Sequence, residues 1–532
     1  MSRNIHKKKT KLKVFKIIFI SFLTIWNICV FTNLIFYTDK FRKPNTSIHL
    51  KNYLTSNNYK ELDLLSTEEK IADFQYMIDF MYENYPLIHI DEEIYGIDFE
   101  QKNDNFYNII KNTENDFEFY VALQKYFSSI KSTHTYLMFP DLSIFENKNI
   151  SNLVNIIDGD INKEQLQYWR NLLYENVKNY DSDNMVIFNY IDGKYYETKF
   201  NDAYITNING QPIQEFINNY DSILDKKISF EKNILYFDKL IFNNIQGEPV
   251  LICMNNGEEY NLYLDSEYEF SYIYTLDSKE PEIFYIIDEE KRVCYYRIDS
   301  FEIKYLDKIR KLSEEIIDKK ENIDSIIFDI RNNGGGKMGT YVVGILNLFI
   351  NKEYKFIRKY YIPFTEYHSN FKEKNVNNKI TKDPIKGSKN KSRFYYVNKG
   401  KINYGKNQSD VFKNIYVLIG EETGSAADTF AAVMKSGNHA VLVGQNTAGE
   451  GLGDTSSIFR LPNSGLYISF MGSYGLNKDG TSNSKYGTAP DYYIEQDISD
   501  YKKGINVDTG YLSIDQMLQY DTQLNFIISN LN

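Results

Sequence analysis

The sequence predicts an α/β chain built on a mostly parallel sheet, and three observations carry that expectation. First, strand-length apolar runs, "RVCYYRID", "IDSIIFDI", "IYVLIG" and "HAVLVG", alternate with helical stretches from about residue 282 onward. The helical stretches are "YLDKIRKLSEEIIDKK", "TYVVGILNLFI" and a segment opening on Gly424-Ser425. Second, "IDSIIFDI" is continuously apolar, as strands buried on both faces are. Third, two loops, "DIRNNGGGKMG" and "GEETGSAAD", directly follow strands, and open α/β sheets place their sites at the carboxyl ends of strands.

The remaining elements follow from the N-terminus. Residues 1–16 form a basic tail with seven Lys and Arg and no acid. Residues 17–38, "IIFISFLTIWNICVFTNLIFYT", carry no charge. As a helix they would span about 33 Å, close to the hydrocarbon thickness of a bilayer. The basic flank predicts a single-pass anchor with its N-terminus in the cytoplasm and the rest exported to the cell exterior. No small-residue cleavage pattern follows the run, which argues against a cleaved signal peptide. Residues 39–65 are polar, lack periodicity and read as a linker.

A helical subdomain is expected over residues 66–150. Ser66-x-x-Glu69 has the pattern of a capping box, and Ile71, Phe74, Met77, Ile78 and Met81 recur at helical spacing until Pro86. A second helix is expected around residues 114–130, leading into "STHTYLMF". Residues 151–280 alternate short strand-like runs with turns. Within them "AYITNINGQPIQEFI" resembles the end of a PDZ-like module, although the carboxylate-binding loop of such modules is not visible, and a generic β-rich insert is the other reading. The α/β core is expected over residues 281–500, interrupted at residues 366–410 by a Lys-, Asn-, Gly- and Ser-rich surface flap or rim. Residues 501–532 are read as a C-terminal tail.

Composition narrows the function. The chain has 532 residues, 42% apolar and 25% charged, with net charge −11. Taking the seven charges of the basic tail from −11 leaves −18 for the body, and an acidic body argues against a nucleic-acid partner. The Asn, Lys and Ile excess suggests an AT-rich bacterial genome. Of three cysteines, Cys29 lies in the apolar run, so at most one disulfide, Cys253 to Cys294, is open to the chain; free buried cysteine is the commoner state. No C-x-x-C or H-E-x-x-H occurs, so neither a zinc site nor any other cofactor is called for.

Ser425 opens a helix, where backbone N–H groups are unpaired and the dipole end is positive. Those groups can hold an oxyanion, and the triple glycine of the neighbouring loop can add another N–H. Read alone, the serine is more readily a plain N-cap and the glycines a plain loop. Together, however, "IIFDIRNNGGG", "TGSAADTFAAVMK", "VLVGQNTAGEG" and "GTAPD" resemble the S41 peptidases, the family of C-terminal processing and tricorn-type proteases. The resemblance covers roughly residues 66–140 and 280–495. It implies a crotonase-like α/β core and serine-type cleavage of peptide bonds in a peptide or protein substrate.

The resemblance places the nucleophile at Ser425 and the oxyanion donors at the N–H of Ala426 and of a glycine in Gly334–Gly336, with Gly335 favoured. One branch of the family uses a lysine base twenty-five residues after the serine; here that position is Glu450, which rules out the Ser-Lys mechanism in its usual form. The other branch uses a histidine in a setting like "KSTHTYL", which names His134; neutral imidazole can take a hydroxyl proton near neutral pH. His6, His89, His368 and His439 lie in no such context. The acid that orients the histidine is expected at position 484, but that residue is Ser484. Glu450 is the favoured substitute, with Asp454 and Asp479 as fallbacks. Asp428 is read as a structural partner of Arg331. Loss of the lysine and of the usual glutamate keeps an alternative open: a catalytically inactive S41-like protein that binds peptides or hydrophobic ligands.

Overall fold

The computed structural model describes residues 64–531 apart from 97, 131, 133, 141–161, 178–183, 198–202, 223, 225, 230–231, 233, 266–268, 270–279, 351–353, 371–378, 386–392, 405–410, 454–455 and 501–512. The expected anchor at 17–38 lies outside the described residues. Among the described residues no helix is long and apolar enough to cross a membrane.

Helix α1 (Thr67–Asn84) starts as its sequence dictates. Ser66 Oγ accepts the Glu69 N–H, and the Glu69 carboxylate takes the Ser66 N–H in return. Phe74, Met77, Ile78 and Met81 are buried along one stripe, with Ile71 half-buried at its edge. Two further helices, α2 (Ile88–Tyr95) and α3 (Phe99–Lys111), separate α1 from the expected α4 (Asp116–Ser128). Neither α2 nor α3 was anticipated: α2 is short and follows Pro86, and α3 buries only Phe99, Phe106 and Ile110 on a polar background. After α4 the chain turns through His134 into β1 (Tyr136–Leu137).

The span expected to be β-rich opens instead on helix α5 (Lys163–Val177), whose buried Trp169 belongs to the core of the helical subdomain. The Trp169 indole donates to Ser464 O at 2.8 Å. The β-rich insert proper is a seven-stranded sheet between residues 185 and 264, with antiparallel pairing and its own core of Phe188, Phe242, Ile208 and Ile252. Within it, Ile205–Ile208, the Asn209-Gly210 turn and helix Ile213–Asn219 follow in the order read from the sequence.

The α/β core is a six-stranded sheet. Its strands are β2 (Ile283–Asp288), β3 (Val293–Ile298), β4 (Ser325–Asp329), β5 (Asn414–Ile419), β6 (Val441–Gly444) and, after β7 (Tyr467–Phe470) of another sheet, β8 (Tyr492–Tyr493). The order is β2-β3-β4-β5-β6-β8; β2 and β3 pair antiparallel and every other neighbour is parallel. All five residues of β4 are buried, as its unbroken apolar run requires. One face is covered by Leu306–Asp318, residues 338–349 and the serine helix. Ile514, Met517, Leu524 and Ile527 of the C-terminal segment cover the other. Residues 513–531, read as a tail, therefore close the second face of the sheet.

The stretch at 366–410 is not a plain flap. Arg393–Tyr404 pairs along Tyr354–Pro363 in a long antiparallel ribbon, joined by Lys379–Lys382 and Tyr474–Gly475 in a four-stranded sheet. Its Lys- and Asn-rich composition hid these strands from a reading by apolar runs. Cys253 and Cys294 are both free, Cys294 buried in β3.

Candidate active site

Three loops meet at the carboxyl ends of the parallel strands. The loop after β4 carries Gly334–Gly336, the loop after β5 leads to Ser425, and the loop after β6 carries Glu450. Gly424 is extended at φ −123°, Ser425 turns left-handed at φ +50°, and helix α6 (Ser425–Ser436) begins there. A left-handed non-glycine residue is strained and persists only where its surroundings hold it. Here the Ser425 N–H donates to Gly449 O at 2.9 Å, and the Gly424 N–H to Asn333 O at 3.0 Å. The serine is thereby bolted to both neighbouring loops. From the insert, Lys227 pairs with Glu422 and the Tyr236 hydroxyl donates to Glu421, just upstream.

His134 arrives from the helical subdomain because β1 pairs antiparallel with β7, Tyr136 opposite Ser469 and Leu137 opposite Ile468. The Ser469 hydroxyl donates to His134 O, and the Met471 N–H to Thr135 Oγ1, which pins the turn. His134 Nε2 then lies 3.2 Å from Ser425 Oγ, with the histidine side chain 23% exposed. On the other side of the ring, Nδ1 lies 3.6 Å from Glu450 Oε2. That is charge-pair range, longer than a hydrogen bond. The Glu450 side chain is 0% exposed, and its backbone is left-handed at φ +64°. Its other oxygen, Oε1, accepts from the Ser132 hydroxyl.

Ser132 is a site residue the sequence reading passed over. It lies two residues before His134; with its single proton given to Glu450, its oxygen accepts from the Thr135 hydroxyl at 2.8 Å, so one hydroxyl holds both the acid and the histidine turn. Behind Glu450 lies a second unforeseen group. Lys485 Nζ is 2.5 Å from Asp91 Oδ1 and 3.0 Å from the Tyr85 hydroxyl, with both charged side chains fully buried. Burial pushes the Asp91 carboxyl above its usual range, and the Lys485 ammonium and Tyr85 hydroxyl oppose that rise.

The two expected oxyanion donors differ. Ala426, second in its helix, has no intrahelical acceptor for its N–H. Gly335 lies against the serine: a Cβ there would fall 2.8 Å from Ser425 Cβ. Its N–H, however, donates to Asn333 Oδ1 at 2.9 Å, and Asn333 is buried and anchored to Ile298 O. Of the fallback acids, Asp479 accepts from Thr481 in an exposed turn, Asp454 lies outside the described residues, and Ser484 is buried in a short helix, α7 (Asn483–Tyr486).

The Asp428–Arg331 pairing is corrected. The Asp428 carboxylate accepts from Thr447 and Thr488 hydroxyls, each at 2.6 Å, and from the Gly451 N–H at 3.0 Å. Arg331 instead binds Asp329, Asp521 and Gln523. Asp521 caps the C-terminal helix Thr522–Ser529, which packs on the opposite face of the sheet from α6. The partner of Arg331 thus comes from the segment that closes that face.

No curated protein matches the chain. Among solved structures, mature CPAF complexed with lactacystin is 13% identical, with 82% of this chain and 95% of that chain covered and a TM-score of 0.48. A peptidase-like structure from Parabacteroides merdae is 15% identical, covering 82% and 92%, at a TM-score of 0.41. The tricorn protease is 15% identical, covering 87% of this chain and 36% of that one, at a TM-score of 0.37. The model of peptidase family S41 matches residues 292–494, the span holding the glycine loop, Ser425 and Glu450. Over those residues the chain carries a domain of peptidase family S41.

Proposed function

We propose that this chain is a membrane-anchored, extracytoplasmic serine peptidase that cleaves peptide bonds through an acyl-enzyme on Ser425. The observation that carries the reading is the 3.2 Å approach of His134 Nε2 to Ser425 Oγ, from residues 291 positions apart. With its proton on Nδ1, the ring accepts the Ser425 hydroxyl proton at Nε2 as the oxygen attacks the scissile carbonyl. Glu450, on the Nδ1 side, stabilises the imidazolium that forms. The Ala426 N–H faces the developing oxyanion. The imidazolium returns the proton to the leaving amine, and water then releases the acyl group by the same route.

Residues 17–38 with their basic flank support the anchor. The full chain is expected to sediment with membranes and to resist a high-salt wash; recovery in the soluble fraction would remove that part of the reading. For catalysis, Ser425→Ala is expected to lower hydrolysis of an unstructured peptide by about 10⁴-fold or more. Hydrolysis at the parental rate would overturn the peptidase assignment.

One observation favours a second reading, a peptide-binding protein without turnover: the Gly335 N–H is committed to Asn333. A serine-reactive fluorophosphonate separates the two. The peptidase is labelled at Ser425, and a binding protein is not.

A further inference from the structure

The short helix α7 braces the Glu450 loop from both sides. A Cβ on Gly449 would fall 2.2 Å from Asn483 O, so only glycine permits that approach. Beyond Glu450, the Leu452 N–H donates to Asn483 Oδ1 at 3.1 Å. Two residues after Asn483 comes Lys485, fully buried, 2.5 Å from Asp91 of α2. Burial is what chiefly raises the Asp91 carboxyl, and the charge of Glu450 adds a last, smaller contribution. Two carboxylates in one dry region repel, and without a cation one of them takes up a proton.

We propose that Lys485 is a positioning residue for the proton-transfer pair: its buried ammonium balances the Asp91 charge while its helix holds the Glu450 loop, which reserves Glu450 for His134. This deepens the peptidase reading and rests on it for catalysis. Among the described residues, the titratable groups facing this region include Tyr85 from the end of α1, Asp91 from α2, His134 from the turn before β1, Glu450, and Asp428 from α6. Asp428 is occupied by Thr447, Thr488 and the Gly451 N–H. Among these described groups Lys485 is the permanent cation. With Asp91 it forms a neutral pair, leaving the charge of Glu450 for the imidazolium to balance. The pair also bridges the helical subdomain that brings His134 to the core loop that brings Glu450, so charge and placement are set by one contact.

The test uses the full chain and three variants: Lys485→Met, Asp91→Asn and the double Asp91→Asn/Lys485→Met. Removing the lysine alone leaves two carboxylates competing for one proton. Lys485→Met is expected to lower kcat at pH 7 roughly tenfold, with KM within about twofold, and to move the acid limb of kcat/KM up by about one pH unit. Asp91→Asn leaves the buried ammonium without its carboxylate and is expected to move the limb down. The double variant removes the competitor along with the cation and is expected to return both kcat and the limb toward the parent. A role confined to packing predicts that the double variant is at least as impaired as the single ones. An unmoved limb in both single variants, or a double variant no better than Lys485→Met, overturns the proposal. If Lys485→Met does not fold, the downward shift in Asp91→Asn decides alone. NMR titration of the His134 imidazole in each variant reads the same displacements without turnover. Failure of the peptidase reading is thereby distinguishable from failure of this one.

Discussion

At the scale of single residues, the site depends on backbone conformations that most side chains avoid. Ser425 and Glu450 are both left-handed non-glycine residues, at φ +50° and +64°. Such strain costs on the order of 1–3 kcal/mol each and must be held by neighbours. Gly335 is the neighbour with least tolerance: its φ is +119°, and a Cβ would meet Ser425 Cβ at 2.8 Å and Ala426 N at 3.1 Å. Gly335→Ala is therefore expected to push the serine away from His134 and lower kcat at least about tenfold, since a displacement of about 1 Å is enough for such losses. Gly334→Ala is the control, because its Cβ would meet nothing within 4 Å. Equal kcat in the two variants would show that the close packing of the glycine loop on Ser425 is immaterial.

At the scale of elements, α1 is tied to the core by one carboxylate. Asp73 accepts the N–H groups of Asn463 at 2.8 Å and Ser464 at 2.7 Å. Burial pushes its carboxyl up to about 6, against hydrogen bonds from Ser464 and Asn463 that pull it down. A carboxyl raised above its unfolded value of about 3.9 binds its proton more tightly when folded. Its contribution to stability is complete below about pH 4 and is lost as pH rises through about 6. The urea midpoint of Asp73→Asn should consequently lack part of the decline that the parent shows between those values. Identical slopes in parent and variant would show that the carboxyl does not titrate there. Asp329 acts with the opposite sign: burial would raise it, but Arg331 and Tyr295 hold it below the usual range. Its contribution is present above about pH 4 and is lost as pH falls through its lower folded value, so the two windows do not overlap.

At the scale of the whole molecule, the C-terminal segment completes the core. Ile514, Met517, Leu524 and Ile527 pack against Val293, Tyr295, Ile327, Leu418 and Val443, and Asp521 binds Arg331 beside them. Four such side chains at about 1.5–3 kcal/mol each amount to roughly 6–12 kcal/mol, comparable to the net stability of a domain. Removal of residues 513–532 is expected to leave the protein insoluble or without a cooperative thermal transition. A soluble truncated chain melting within a few degrees of the parent would contradict that.

The amino-acid sequence by itself determined what neighbours within a few residues can encode. The capping box of α1, the apolar runs of β3 to β6, the helix opening on Ser425 and the Asn209-Gly210 turn all follow from local spacing, and the structure places them there. Resemblance of short motifs named Ser425, His134 and Glu450 as candidates. Only the tertiary structure decided which of these side chains meet. β1 reaches β7 across more than three hundred residues, and that pairing is what brings His134 to the serine. Arg331 chose Asp521 over Asp428, and Lys485 found Asp91, through contacts 190 and 394 positions apart. The physical reason is that a buried charge takes the partner that burial of the remaining chain delivers, and no period or cap in the local sequence records that choice.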